Sequence, residues 1–82
     1  MPIVLIIGGL RFFFYSNEGL RPHIHVGLSP ARKGGPEMKV WLDTLEIASS
    51  RGFNKSSVNR IHKFIEEQQE FLNDQWEAYF DV

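Results

Sequence analysis

The hydrophobic pattern changes period once along the chain. Up to about residue 42, apolar residues come in short runs with period-two alternation. From residue 58 they recur at three- and four-residue spacing to the C-terminus. "PIVLII" and "LRFFFYS" flank Gly8-Gly9, a pair suited to the positive φ angles of a two-residue type I′ turn, and predict a β-hairpin. "NEGLRP" (17–22) reads as a loop and "HIHVGL" (23–28) as a third strand. "SPARKGGPE" (29–37) is a basic Pro/Gly loop, and "MKVWL" (38–42) a fourth strand. Asp43 followed by Glu46 resembles a capping box. It predicts a short helix over "TLEIASSR", with Asp43 as N-cap and Gly52 as the left-handed residue after it. Asn54 or Ser56 then caps a long helix carrying Val58, Ile61, Phe64, Ile65, Leu72, Trp76 and Tyr79, uninterrupted by Pro or Gly. The order ββββαα predicts one α+β domain over 1–82: a four-stranded antiparallel sheet with a short and a long C-terminal helix on one face.

Alternation also assigns faces. A two-residue hairpin pairs Ile7 with Leu10, Leu5 with Phe12 and Ile3 with Phe14. These residues, with Ile24, Val26, Leu28, Met38, Val40 and Leu42, form a wholly apolar face for the helices to cover. The second face carries Arg11, Phe13, Tyr15, His23, His25, Lys39 and Trp41, with Val4 and Ile6. Meander pairing that keeps the faces consistent puts Tyr15 beside His23, Phe13 and Trp41 on either side of His25, and Asp43 near His23. A one-residue slip would reverse the faces.

Composition narrows the class. Hydrophobic residues make up 43% of 82 residues, enough apolar mass for a packed core and too much for a disordered chain. The absence of cysteine removes disulfides and thiolate zinc sites and fits a cytoplasmic setting. "PIVLII" is too short to span a bilayer and lacks a basic flank, so neither a membrane span nor a signal peptide is expected. Charge is segregated: all nine Lys/Arg lie at or before Lys63, while Glu66, Glu67, Glu70, Asp74, Glu77 and Asp81 follow it. Acids at a helix C-terminus oppose its dipole, so a basic partner would relieve them, although a solvated helix face needs no partner.

Three chemistries compete for the second face. Metal-free RNA cleavage needs a base, an acid and a cation, because RNA carries its own 2′-OH nucleophile. His23 and His25 supply the first two from Cα atoms about 6–7 Å apart, with Arg11 or Lys39 for phosphate charge. Phe13, Tyr15, Glu18, Arg32, Lys33, Lys39 and Trp41 would then bind substrate, and Asp43 would orient His23 or cap a helix. A metal site would start from His-x-His, with Glu18 as a third ligand. His62 lies on the polar side of the long helix, and no metal or other cofactor is expected. A non-enzymatic module would use the aromatics to bind protein or nucleic acid. "TLEIASSRGFNKSSVNRIHKF" has a helix-turn-helix look, but its second helix runs too far for a usual recognition helix, so DNA on its own is not expected as a partner.

"MPIVLIIGGLRFFFYSNEG", "RPHIHV", "KVWLDTLEIASSRGF" and the terminal "WEAYF" together resemble the bacterial family called domain of unknown function 4160. The matching positions are Arg11, Phe14, Tyr15, Ser16, Asn17, Glu18, Pro22, His23, His25, Val26, Trp41 and Asp43. The chain departs from the family in a longer, more basic 29–37 loop and in Gln68-Gln69, where members often carry a histidine after glutamate. The resemblance implies a type II toxin–antitoxin module. This chain would be the toxin, paired with a protein of domain of unknown function 2442 as an antitoxin-like partner. Joined to the residue chemistry, it gives the expectation of a cytoplasmic toxin acting on RNA. A binding module and a homodimer stay open as alternatives.

Overall fold

The computed structural model describes residues 2–15 and 21–80. Five strands form one antiparallel meander in the order β1-β2-β3-β4-β5: β1 (Ile3–Ile7), β2 (Leu10–Phe13), β3 (His23–Leu28), β4 (Glu37–Trp41) and β5 (Ile47–Ser49). Two helices follow, α1 (Lys55–Glu67) and α2 (Gln69–Phe80). The α+β class and the single sheet stand as expected. The fifth strand and the second helix of this pair do not.

The hairpin forms as its glycines require. Gly8 and Gly9 take φ of 58° and 78°, both left-handed, and Ile7 pairs with Leu10. Leu5 pairs with Phe12, but a bulge around Val4 then brings Ile3 opposite Phe13 rather than Phe14. The bulge turns Ile3 from the helix side to the second face.

The segment after β4 is where the expected short helix fails. Thr44 Oγ1 accepts from the Glu46 backbone N–H at 3.2 Å, and Leu45 takes φ 66°. These local bonds satisfy Asp43–Glu46 as a turn, and Ile47–Ser49 then pairs back onto Lys39 and Val40 as β5. Eight residues nucleate a helix poorly, whereas the open edge of β4 offers a ready ladder. Asp43 is therefore no N-cap. Gly52 is left-handed as expected, at φ 84°, but it closes the turn after a strand.

Asn54 is the N-cap of α1, accepting from Ser57 N–H at 2.8 Å. Asn54→Ala should cost about 0.5–2 kcal/mol, read as a lower urea midpoint at unchanged m-value. The long helix breaks at Gln68, whose N–H is shared between Phe64 O at 3.0 Å and Ile65 O at 3.1 Å. That tightened turn separates α1 from α2 without Pro or Gly. The polar pair there is anchored: Gln69 Nε2 donates to Leu42 O at 2.7 Å, satisfying a carbonyl just past the end of β4.

The core lies between the helices and one sheet face. Phe12, Phe14, Ile24, Val26, Met38, Val40 and Leu42 meet Ile61, Ile65, Leu72 and Trp76, all buried. This is the apolar face that alternation assigned. His62 is not a solvated helix residue: it is half-buried, and its Nε2–H donates to Leu45 O at 2.6 Å, tying α1 to the turn before β5. No helix among the described residues is long and apolar enough to cross a membrane.

Candidate functional site

The second face carries the expected residues, with one change of register. β2 pairs Phe13 with His25 and Arg11 with Gly27. β4 pairs Lys39 with His25 and Trp41 with His23, two residues from the register that put Trp41 beside His25. A two-residue shift preserves faces, so the membership of the face survives while the neighbours change. Asp43 consequently lies across from Arg21.

Two clusters result. In the first, Phe13, Tyr15 and Glu37 enclose His25, and Arg11 lies over Phe13. The Phe13 ring stacks on His25 at 5.4 Å between centroids, and the Tyr15 ring meets it edge-on at 4.4 Å. The Tyr15 hydroxyl donates to the Glu37 carboxylate at 3.1 Å, and Glu37 Oε2 lies 3.4 Å from His25 Nδ1, long for a hydrogen bond. The Arg11 guanidinium lies 4.1 Å over Phe13, and its Nε donates to Leu28 O at 3.0 Å. Gly27 makes room for it. A Cβ at that position would come within 3.1 Å of an Arg11 terminal nitrogen. Arg11 is thus built over Gly27 and Phe13.

In the second cluster His23 sits among three rings. His25 is 5.0 Å away at 85°, Trp41 5.4 Å at 78°, and Trp76 4.9 Å at 54°. Its Nδ1–H donates to Arg21 O at 2.7 Å, which fixes the proton on that nitrogen because a carbonyl only accepts. Trp76 belongs to α2, so the helix layer reaches this end of the face. Beyond His23, Trp41 carries two cations. Arg21 Cζ lies 4.1 Å and Lys39 Nζ 4.3 Å from its ring centroid. Lys39 approaches from two residues earlier in β4, and Arg21 from the register position opposite Asp43. Asp43 grips Arg21 with two bonds, 2.8 and 2.9 Å long. The Arg21 hydrogen bond holds the Asp43 carboxyl below its ordinary pKa, and Asp43 raises that of Arg21. Asp43, expected to orient His23, bonds Arg21, whose backbone carbonyl in turn accepts from His23.

The face is not the open platform expected of a base-stacking sheet. Phe13 is 0% exposed, His23 4% and His25 5%. The two imidazoles contact each other edge to face, which leaves no gap for a phosphate between them. Trp41, Lys39 and Arg21 keep partial exposure. Arg32 and Lys33 are exposed on the β3–β4 loop, beyond the Leu28 end of β3 and away from His23. Glu18 lies outside the described residues. Among those described, no group of three or more His, Asp or Glu is placed to hold a metal ion.

Sequence reasoning missed Arg21, Glu37 and Trp76 as neighbours of the histidines. The correct β3–β4 register would have supplied the first two, since it sets Arg21 toward Asp43 and Glu37 opposite Gly27. Trp76 depends on the path of α2, which no local pattern encodes. On the helix side, a groove of about 500 Å³ runs past the β1–β2 turn, lined by Ile7, Leu10, Phe12, Phe53, Ile61 and Phe64 among others. It contains none of the expected site residues.

The sequence pattern of one family, described as domain of unknown function (DUF4160), matches residues 9–77. No curated protein and no solved structure matches the chain.

Proposed function

We propose, from the premise that this chain belongs to the family described as domain of unknown function (DUF4160), that it engages single-stranded RNA on the second face of its sheet. It would do so as the toxin-like half of a two-protein cytoplasmic module whose antitoxin-like partner covers that face. The observation that carries this reading is Trp41, partly exposed and flanked by Arg21 and Lys39 at 4.1 and 4.3 Å. Cations braced on an indole are held at fixed positions beside it, where a phosphate would share Arg21 with Asp43. The buried histidines then support the platform: His23 packs under Trp41, and its bond to Arg21 O holds the backbone that carries the guanidinium.

A second reading rests on a different observation, the Glu37 carboxylate 3.4 Å behind His25 and bonded by Tyr15. A carboxylate behind an imidazole is the arrangement of a general base. On this reading the face opens on binding. His25 takes the 2′-OH proton, the 2′ oxygen bonds the adjacent phosphorus, the P–O5′ bond breaks, and the 5′ oxygen takes a proton from water.

The test is anisotropy of a labelled single-stranded RNA, with product analysis in chelator. Trp41→Ala should weaken binding by about 1–3 kcal/mol. Lys39→Ala should lower the salt slope by about 0.7. RNA recovered intact supports binding alone. Cleavage that His25→Gln abolishes supports the second reading. No RNA binding sinks both.

A further inference from the structure

We infer that the outer edge of β1 is a self-association surface, where a second copy of this chain adds its own β1 antiparallel to the first. The meander leaves two sheet edges, β1 and β5. β5 is three residues long, preceded by Glu46 and followed closely by Arg51, and such a short edge with flanking charge resists strand addition. β1 is longer and uncharged, and the bulge around Val4 is its one irregularity. Its five residues, IVLII, carry no charge, and Ile3, Ile6 and Ile7 are 50%, 61% and 52% exposed. Among the described residues, no strand pairs with its outer side.

The chemistry of that edge calls for a strand. Ile7 and Leu10 close a two-residue turn and so form a hydrogen-bonded pair. By alternation, the N–H and C=O of Ile6 then point away from β2. An added extended strand can take the place of water on such groups. Side chains choose the occupant. A two-fold axis lays IVLII against IVLII, so every cross-strand pair is aliphatic and no charge meets its like. Ile3 and Ile6 lie on the second face, with Phe13 and Arg11 as register partners, and Ile7 lies on the helix side at the mouth of the apolar groove. An added β1 therefore continues apolar surface on both faces. Pairing consumes both β1 edges and leaves only the short β5 edges exposed, so the assembly closes at two copies.

Sedimentation velocity between about 1 and about 100 µM tests this directly. The unmodified chain should sediment as a dimer, and Ile6→Lys should raise the dissociation constant at least about tenfold at unchanged far-ultraviolet circular dichroism. Ile3→Lys, at the other end of the strand, should do the same if Ile6→Lys fails to fold. A monomer at the highest concentration, a dimer indifferent to both changes, or open-ended oligomers would each overturn the inference. RNA binding on the second face is measured separately and stands or falls independently.

Discussion

Trp76→Ala should remove about 3–5 kcal/mol of stability, a large part of the 5–10 kcal/mol or so that a domain of this size holds. Trp76 is fully buried and joins three parts of the molecule. Its ring meets Phe14 of the sheet at 5.2 Å and Phe80 of its own helix at 4.1 Å. On its far side it meets His23 at 4.9 Å. Truncation would leave a cavity bounded by aromatic rings, which collapse into it poorly. Urea unfolding followed by far-ultraviolet circular dichroism measures the loss. Trp76→Phe, which keeps most of the volume, should lose much less. A loss below about 1 kcal/mol for the alanine variant would mean that α2 is held by something other than this ring. The proton shifts of His23 provide a local readout, because losing the indole removes its ring current even where the fold persists.

The same residue marks the limit of what the sequence reveals. The strands and, from Leu5 onward, their faces are legible because each strand up to residue 42 alternates with period two and unlike chemistry on its two sides, whereas the bulge that reverses Ile3 and Val4 leaves no such mark. His23 and His25 therefore had to share a face with Arg11, Phe13 and Trp41, and they do. Register across the long 29–36 loop is not legible, since a shift of two residues preserves every face. That ambiguity moved Trp41 from His25 to His23 and hid Arg21 and Glu37. The β5 segment is illegible for another reason. "DTLE" carries helix-start chemistry, but Thr44 and Glu46 use it on each other in a turn, and the free edge of β4 decides the rest. Depth is the third thing alternation omits. It says which way a histidine points and nothing about how many rings crowd over it.

The charge segregation gains a location but no chemistry from the fold. Lys55, Arg60 and Lys63 are exposed on α1, and Glu70, Asp74 and Glu77 on α2, with the break at Gln68 between them. These acids lie opposite the buried Leu72 and Trp76, so they form the solvent side of α2. The cations of the second face come instead from the sheet and its loops, where Arg11, Arg21 and Lys39 each rest on an aromatic ring. An arginine or lysine braced in this way loses little freedom on meeting a phosphate, and this separates the face from a merely charged helix.

His25→Ala should cost about 2–4 kcal/mol, which makes this histidine a packing residue of the first order whatever else it does. Its ring lies between Phe13, stacked at 5.4 Å, and Tyr15 and His23, edge-on at 4.4 and 5.0 Å. Removing it opens a void under rings that are themselves anchored, Phe13 by Arg11 and Tyr15 by Glu37. His25→Leu distinguishes packing from polarity. Leucine fills most of the volume but offers nothing to Glu37, whose side chain is 28% exposed and can turn to water. If ring packing dominates, the leucine variant should stay within about 1.5 kcal/mol of the parent while the alanine variant falls well below it. If the Glu37–His25 contact dominates, the two variants should be equally destabilised. The leucine variant also isolates the chemistry. It keeps the shape of the face and the Trp41 platform while removing the ring nitrogen that lies 3.4 Å from Glu37. RNA binding that survives in His25→Leu assigns recognition to Trp41, Arg21 and Lys39, whereas cleavage lost with binding intact assigns proton transfer to His25.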